Sequence, residues 1–220
     1  MAIAHDATGT FGATPDTASP MSWSHNPVGT PRGIIVLIVT NDTTDTITSV
    51  TYDGTAMNRV VRQNVGGENG SAYAYFLGAS VPTTDPATVT VTFTGSNNHV
   101  GCSISVTAAD DTSVENFNSV SNVSLANPSI TLTTSVTTIT YGALYDGIAA
   151  PTSIAPDGNH TDVQEADLGA ESASMIRRSA TVAAGSPVVG WTVAADDVAA
   201  VAIAVREGVV APTRRIFVVT

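Results

Sequence analysis

The chain has 220 residues, a formal charge of −11 and a pI near 4.4, and its basic residues are eight Arg with no Lys. That balance argues against nucleic acid as a partner, because phosphate binding needs clustered cations and the Arg are adjacent only at Arg177-Arg178 and Arg214-Arg215. Without Lys there is no Schiff-base lysine, no Walker-type phosphate loop and no Lys–Asn isopeptide cross-link, and the lone Cys102 forbids an intrachain disulfide.

Thr and Val dominate the sequence while Leu and Glu are scarce, a strand-forming bias that favours an all-β fold. In chain order, residues 1–20 are small and polar with Ile3 and Phe11 as the only large apolar anchors, and read as an extended N-terminal arm. The start lacks the basic and apolar segments of an export signal, so cytosolic synthesis without export is expected. Residues 21–25, Met-Ser-Trp-Ser-His, alternate large and small before an Asn-Pro turn. The run Gly33–Thr40 holds six large aliphatics and predicts a strand covered on both faces. Residues 47–52 and 55–61 flank Asp53-Gly54, a strong hairpin signal.

An exposed Gly-rich loop is expected at 63–70, then a strand at 71–77 with bulk on both faces. Residues 87–94 give the cleanest alternation, Val89, Val91 and Phe93 against Thr88, Thr90, Thr92 and Thr94. Residues 99–109 read as a further strand. The Asn/Ser-rich 113–128 predicts loops with short edge strands, and 145–161 a long loop. Strands are expected at 130–133, 137–144, 163–168, 172–182 and 187–193. Residues 197–206 fit both helical and strand periods; the β-branched Val201, Ile203 and Val205 share one face and decide for strand. The longest apolar runs, 34–39 and 198–205, fall far short of the roughly 20 residues a membrane-spanning helix needs, so no membrane partner is expected. A dozen short strands with no long helix predict two packed antiparallel sheets, and no repeat of fixed period stands out.

Chemistry is sparse. None of the four His sits in a metal-type spacing with a second His, Cys or carboxylate. His25 at a strand end reads as packed or hydrogen-bonded, while His99 and His160, beside Asn, read as solvated. Cys102 in an apolar strand pattern reads as a buried inert thiol. There is no Gly-x-Ser-x-Gly elbow, and Asp110-Asp111 and Asp196-Asp197 read as turn caps, since neighbours in a strand point to opposite faces. The loops 41–45 and 157–159 lack the regular oxygen spacing of a calcium site. Trp23, Trp191, Tyr73 and Tyr75 fall in strand patterns and read as core, with a carbohydrate platform as the alternative.

The motifs Ser22-Trp23-Ser24-His25, Arg32 before the hydrophobic strand, Ile47 to Gly54, Tyr73 to Leu77, Thr88 to Thr92 and the Trp191 strand before an Ala/Val strand resemble a pattern found in β-sandwich proteins of tailed phages and environmental bacteria. The resemblance covers most of residues 21–206 and its motifs are structural. It implies a jelly-roll-like sandwich at 21–207 with an arm at 1–20 and a tail at 208–220. It also implies a non-enzymatic virion protein without cofactors: a capsid decoration or cement protein contacting the major capsid protein, or another virion protein, and its own copies as a homo-oligomer. A glycan-binding fibre module and a filament subunit joined by strand addition are the alternatives. On this reading Trp23, Val36, Ile38, Tyr52 and Trp191 form the structural core, and Ile3, Phe11, Arg214, Arg215, Ile216 and Phe217 contact partners through the two ends.

Overall fold

The computed structural model describes residues 2–12, 14–65, 70–78, 80–109, 114–147, 154–178 and 180–208. The chain order of strands is β1 (Ala4–Thr10), β2 (Met21–His25), β3 (Gly33–Thr40), β4 (Ile47–Tyr52), β5 (Thr55–Ala56), β6 (Asn58–Val65), β7 (Gly70–Leu77), β8 (Ala87–Phe93) and β9 (His99–Thr107). It continues with β10 (Asn116–Leu125), β11 (Ser129–Thr131), β12 (Thr138–Asp146), β13 (Ala155–Pro156), β14 (His160–Asp167), β15 (Ser172–Arg178), β16 (Val188–Thr192) and β17 (Asp196–Arg206). The expected all-β antiparallel sandwich is borne out, and the ambiguous 197–206 segment is strand.

The number of sheets differs from the expected pair. There are four, in orders β1-β9-β3-β7-β6, β2-β8-β4-β5, β10-β17-β12-β15-β14 and β11-β16-β13. The second half repeats the first. Writing β10 for β1, β17 for β9, β12 for β3, β15 for β7 and β14 for β6 converts one large sheet into the other; β11, β16 and β13 likewise replace β2, β8 and β4. A tandem repeat is therefore present, although no sequence period announces it.

The two large sheets pack face to face. Strand β6 lies against β10 and β17, β7 against β17 and β12, and β3 against β12 and β15, while β1 and β9 reach β14. Each edge strand of one large sheet thus meets the counterpart of the opposite edge, β6 with β10 and β1 with β14, which is the arrangement of a two-fold pair built into one chain.

Three apolar layers separate the four sheets. The first outer layer holds Trp23, Val36, Ile38, Tyr52, Tyr73 and Val89; the second holds Leu132, Leu144, Ile176, Val189 and Trp191. The central layer joins Leu37, Phe76 and Cys102 of the first half to Tyr141, Tyr145, Met175 and Val201 of the second. All eight residues of β3 are buried because one face lies on the small sheet and the other on the second half, which explains the unbroken aliphatic run. Strands β7 and β12 are buried throughout for the same reason. The Asp53-Gly54 hairpin is as expected: Tyr52 pairs with Thr55, and both turn residues have positive φ, 47° and 78°, as a two-residue hairpin turn of the right twist requires.

Several expectations are corrected. Within the expected arm, Ala4–Thr10 form β1, which pairs along β9 and completes the first large sheet. Residues 116–125, expected as loop with short edges, form the ten-residue edge strand β10; polar composition is compatible with a strand whose outer side is wet. The loop at 145–161 is shorter than expected, because β12 runs to Asp146 and β13 and β14 begin at Ala155 and His160.

Candidate functional site

The five predicted core residues are where the sequence put them. Trp23, Val36, Ile38, Tyr52 and Trp191 are all buried, the most exposed being Trp23 at 6%. Each Trp lies over a strand glycine, Trp23 over Gly101 and Trp191 over Gly142, where a Cβ would stand 3.0 Å and 2.7 Å from the ring. Each indole also donates to a serine hydroxyl, Trp23 Nε1 to Ser103 at 2.9 Å and Trp191 Nε1 to Ser174 at 3.1 Å. Neither ring is available as a sugar platform.

The predicted partner residues divide. Ile3 is 1% exposed and belongs to the central layer, so it is a core residue rather than a contact residue. Phe11 is half-buried and meets Trp23 edge-on, with centroids 6.1 Å apart. Arg214, Arg215, Ile216 and Phe217 lie outside the described residues, as do Asp110 and Asp111.

The densest polar cluster ties β1, β2 and β9 together. Ser103 Oγ lies 2.8 Å from His25 Nδ1 and 3.3 Å from the Gly9 carbonyl, either of which can take its proton. Ser105 Oγ donates to Asp6 Oδ2 at 2.8 Å and accepts from the Ala7 amide at 3.1 Å. Asp6 also accepts from the amides of Gly29 and Val28, at 2.7 and 3.3 Å. Burial pulls His25 down to about 4, so it is neutral near pH 7. The residue types are those of a nucleophilic triad but the wiring is not. Asp6 orients Ser105 instead of the imidazole, His25 Nε2 has no partner among the described residues, and Ser103 and His25 are sealed at 0% exposure.

His99 and His160, expected in solvent, are buried. His99 Nδ1 donates to the Asn97 carbonyl at 2.7 Å, its ring stacks on Phe93 at 3.7 Å, and Thr46 reaches Nε2 at 3.3 Å. His160 bridges Asp157 at 2.7 Å and Thr140 at 3.0 Å. Burial lowers both imidazoles. Each starts a strand, and the Asn beside it is the turn, which made solvent exposure the wrong inference from sequence. Cys102 is fully buried and burial pushes its thiol up, as an inert core thiol requires.

The carboxylates of the two loops weighed for calcium are engaged locally. Asp42 accepts from the Thr44 amide at 2.7 Å and from the Asn97 side-chain amide, and Asp157 accepts from the Asn159 amide at 2.8 Å and from His160. Among the described residues no group of three His, Cys, Asp or Glu converges on a metal position.

Two surface features emerge only from the fold. One is an open cleft of about 420 Å³ beside the β4–β5 hairpin, floored by Ile47, Val50, Met57 and Tyr75 and crossed at its rim by the Arg59–Asp45 ion pair, 2.6 Å. Burial raises the Tyr75 phenol and Arg59 beside it opposes the shift. Asp45 and Arg59 come together only because the hairpin folds back, so no spacing could have paired them.

The other feature is the contrast among the outer edges of the large sheets. Three carry both a bulge and charge: β1 bulges between His5 and Ala7 around Asp6, β6 between Arg59 and Val61 with Arg62 nearby, and β14 between Asp162 and Gln164 with Glu165 and Asp167. Bulges and charges block strand addition. Strand β10, Asn-Phe-Asn-Ser-Val-Ser-Asn-Val-Ser-Leu, also bulges, between Asn122 and Leu125, but it carries no charge and keeps its register with β17 from Asn116 to Asn122. Its Phe117 and Val123 are 53% and 56% exposed.

No family model, no curated protein and no solved structure matches this chain.

Proposed function

We propose that this protein is a non-enzymatic structural component of a phage particle, a decoration or cement protein that holds the head by contacts with the major capsid protein and with neighbouring copies. The observation that carries the adhesive part of the reading is the edge inventory: three large-sheet edges of the four-sheet stack carry charge, while β10 is uncharged and unpaired on its outer side among the described residues. The phage part rests on the motif resemblance of residues 21–206. With β6 counted as an added edge strand, β1-β9-β3-β7 faces β2-β8-β4-β5, and this order supports reading the first half as a jelly roll. His25, His99 and His160, both Trp and the thiol are buried in the fold, which fits a role exercised through surfaces.

Mass spectrometry of purified particles tests the proposal. The protein is expected in intact virions, and particles lacking it are expected to lose heat resistance; its absence from virions ends the virion reading. Deletion of residues 1–20 is not a clean test of an arm, because it also removes β1 from the sheet it completes.

A glycan-binding fibre module is the second reading, and the Arg59–Asp45 cleft is the observation that favours it. A guanidinium and a carboxylate over an apolar floor can hold vicinal hydroxyls above a sugar's apolar face. On a glycan array, Arg59→Ala should remove any signal; a signal that survives places the sugar elsewhere. Trp23→Ala and Trp191→Ala are unsuitable controls because both rings are core.

A further inference from the structure

We infer that β10 is a self-recognition edge: two copies of this chain pair antiparallel along it, joining their second large sheets into one continuous sheet about a two-fold axis through Val120. The strand itself is self-complementary. Around Val120 the sequence reads Phe117-Asn118-Ser119-Val120-Ser121-Asn122-Val123, so antiparallel pairing centred there sets Ser119 opposite Ser121, Asn118 opposite Asn122 and Phe117 opposite Val123 of the second copy. Both exposed large apolar side chains of the strand then cover each other, twice per pair.

Charge selects this edge for a like partner. The chain carries −11, so two copies repel through most of their surfaces. The edge β14 would set Asp162, Glu165 and Asp167 against an equally acidic copy, whereas β10 brings no charge to the contact. Glu115, just before the strand, is occupied by Ser135 at 2.6 Å and by Arg206 at 3.6 Å.

The surroundings leave the edge reachable. Strand β6 packs against both β10 and β17, and six of the ten residues of β10 are nevertheless exposed. Ser119 and Ser121 are held from within by Gln63, through 2.7 and 2.9 Å hydrogen bonds, which fixes the strand flat before any partner arrives. Among the described residues no backbone pairs with its outer side. A contact of one strand pair belongs to the small, reversible class of interfaces. The inference stands apart from the virion reading, since a solution dimer holds whether or not particles contain the protein.

Sedimentation velocity over a concentration series, with the full chain, tests it. The expected result is a reversible monomer–dimer equilibrium. Val123→Lys should weaken it by about tenfold or more, because each dimer then sets two Lys against Phe117. Adding Phe117→Glu to that variant should restore dimerisation, with opposite charges now facing across the dyad. Both positions are exposed, so the variants should melt like the wild type. A chain that stays monomeric, a dimer unmoved by Val123→Lys, or a dimer not rescued by the double variant overturns the proposal. Amide exchange gives a second readout. Protection over 116–123 should rise with protein concentration; protection independent of concentration would mean that the edge is covered within one chain, and overturns it too.

Discussion

Replacing Gly70 by Ala tests whether the two halves share one interior. Gly70 opens β7 in the first half, and the Tyr145 ring from β12 of the second half lies flat upon it, so that an added Cβ would fall 2.3 Å from three ring carbons. Carbon atoms rest at about 3.5–4.0 Å, so the ring must move by more than ~1 Å. It has little room to do so, because Tyr145 is 0% exposed within the central layer. In the favourable direction, Ala restricts the unfolded chain by about 0.4–1 kcal/mol and buries one methyl, about 0.8 kcal/mol. Against this stands overpacking of a closed core, about 1–3 kcal/mol in ordinary cases and at the upper end or beyond for an overlap with a fixed ring.

The net expectation is destabilisation by about 2 kcal/mol, a fall in Tm of roughly 4–8 °C for a chain of this size. Calorimetry should show one transition that moves as a whole. Tyr145→Leu, which removes the ring, should cost stability alone yet couple favourably to Gly70→Ala by about 1–2 kcal/mol in a double-mutant cycle. Additive effects, or an unchanged Tm for Gly70→Ala, would refute the shared interior. A thermogram that splits, with only one half shifted, would refute it equally.

Other perturbations follow from the same packing. Gly142→Ala should cost more than Gly101→Ala, about 2 against about 1 kcal/mol by urea unfolding: its Cβ would meet Trp191 at 2.7 Å and Val189 at 2.8 Å, against 3.0 Å from Trp23 and 3.2 Å from the Leu37 carbonyl at Gly101. Ile38→Asn buries an unpaired amide in a strand closed on both faces, and should cost several kcal/mol, about 3–5; unchanged thermal unfolding would remove β3 from the centre of the fold. Acid should weaken the β1–β2–β9 staple. His25 falls from 6.5 in the free residue to about 4 in the fold, so its neutral form is the one the fold holds: stability is full above pH 6.5 and is lost as pH drops toward 4, by at most about 3 kcal/mol. His5, also lowered to about 4 by burial first and Arg177 second, acts in the same sense. Asp162 and Glu165, raised by burial, act in the opposite sense at lower pH, so the comparison of wild type with His25→Asn belongs between pH 7 and 5, where the variant should show the flatter melting profile.

The strands were legible where one face is apolar and the other wet, as at 87–94, and where both faces are apolar, as at Gly33–Thr40. The second case also bears on the number of layers. A strand covered on both sides within an antiparallel fold needs a third layer, and β3, β7 and β12 each demand one. Strand β10 escaped because Asn and Ser carry no strand bias; its pairing with β17 is set by its partner rather than by its own propensity. The Arg59–Asp45 rim and the Gln63 hold on β10 are tertiary pairings with no sequence spacing to betray them.

The hidden repeat has a more specific cause. Aligning β3 with β12 sets Val36 against Gly142 and Ile38 against Leu144, and their neighbours then set Tyr73 against Ser174 and Tyr75 against Ile176 on one side. On the other side the same alignment sets Gly101 against Ala200 and Ser103 against Ala202. The first half places its Trp on β2 and fills the opposite flank with two Tyr; the second places its Trp on β16, over Gly142 and Ser174, and lines the flank with small residues. Each outer layer reaches a packed interior with one Trp and a glycine beneath it, but the bulk has changed strands. Packing constrains the sum of volumes between two sheets far more tightly than the position of any one side chain. The two halves therefore share strand order with different residue identities, and the repeat is visible only once the strands are laid in their sheets.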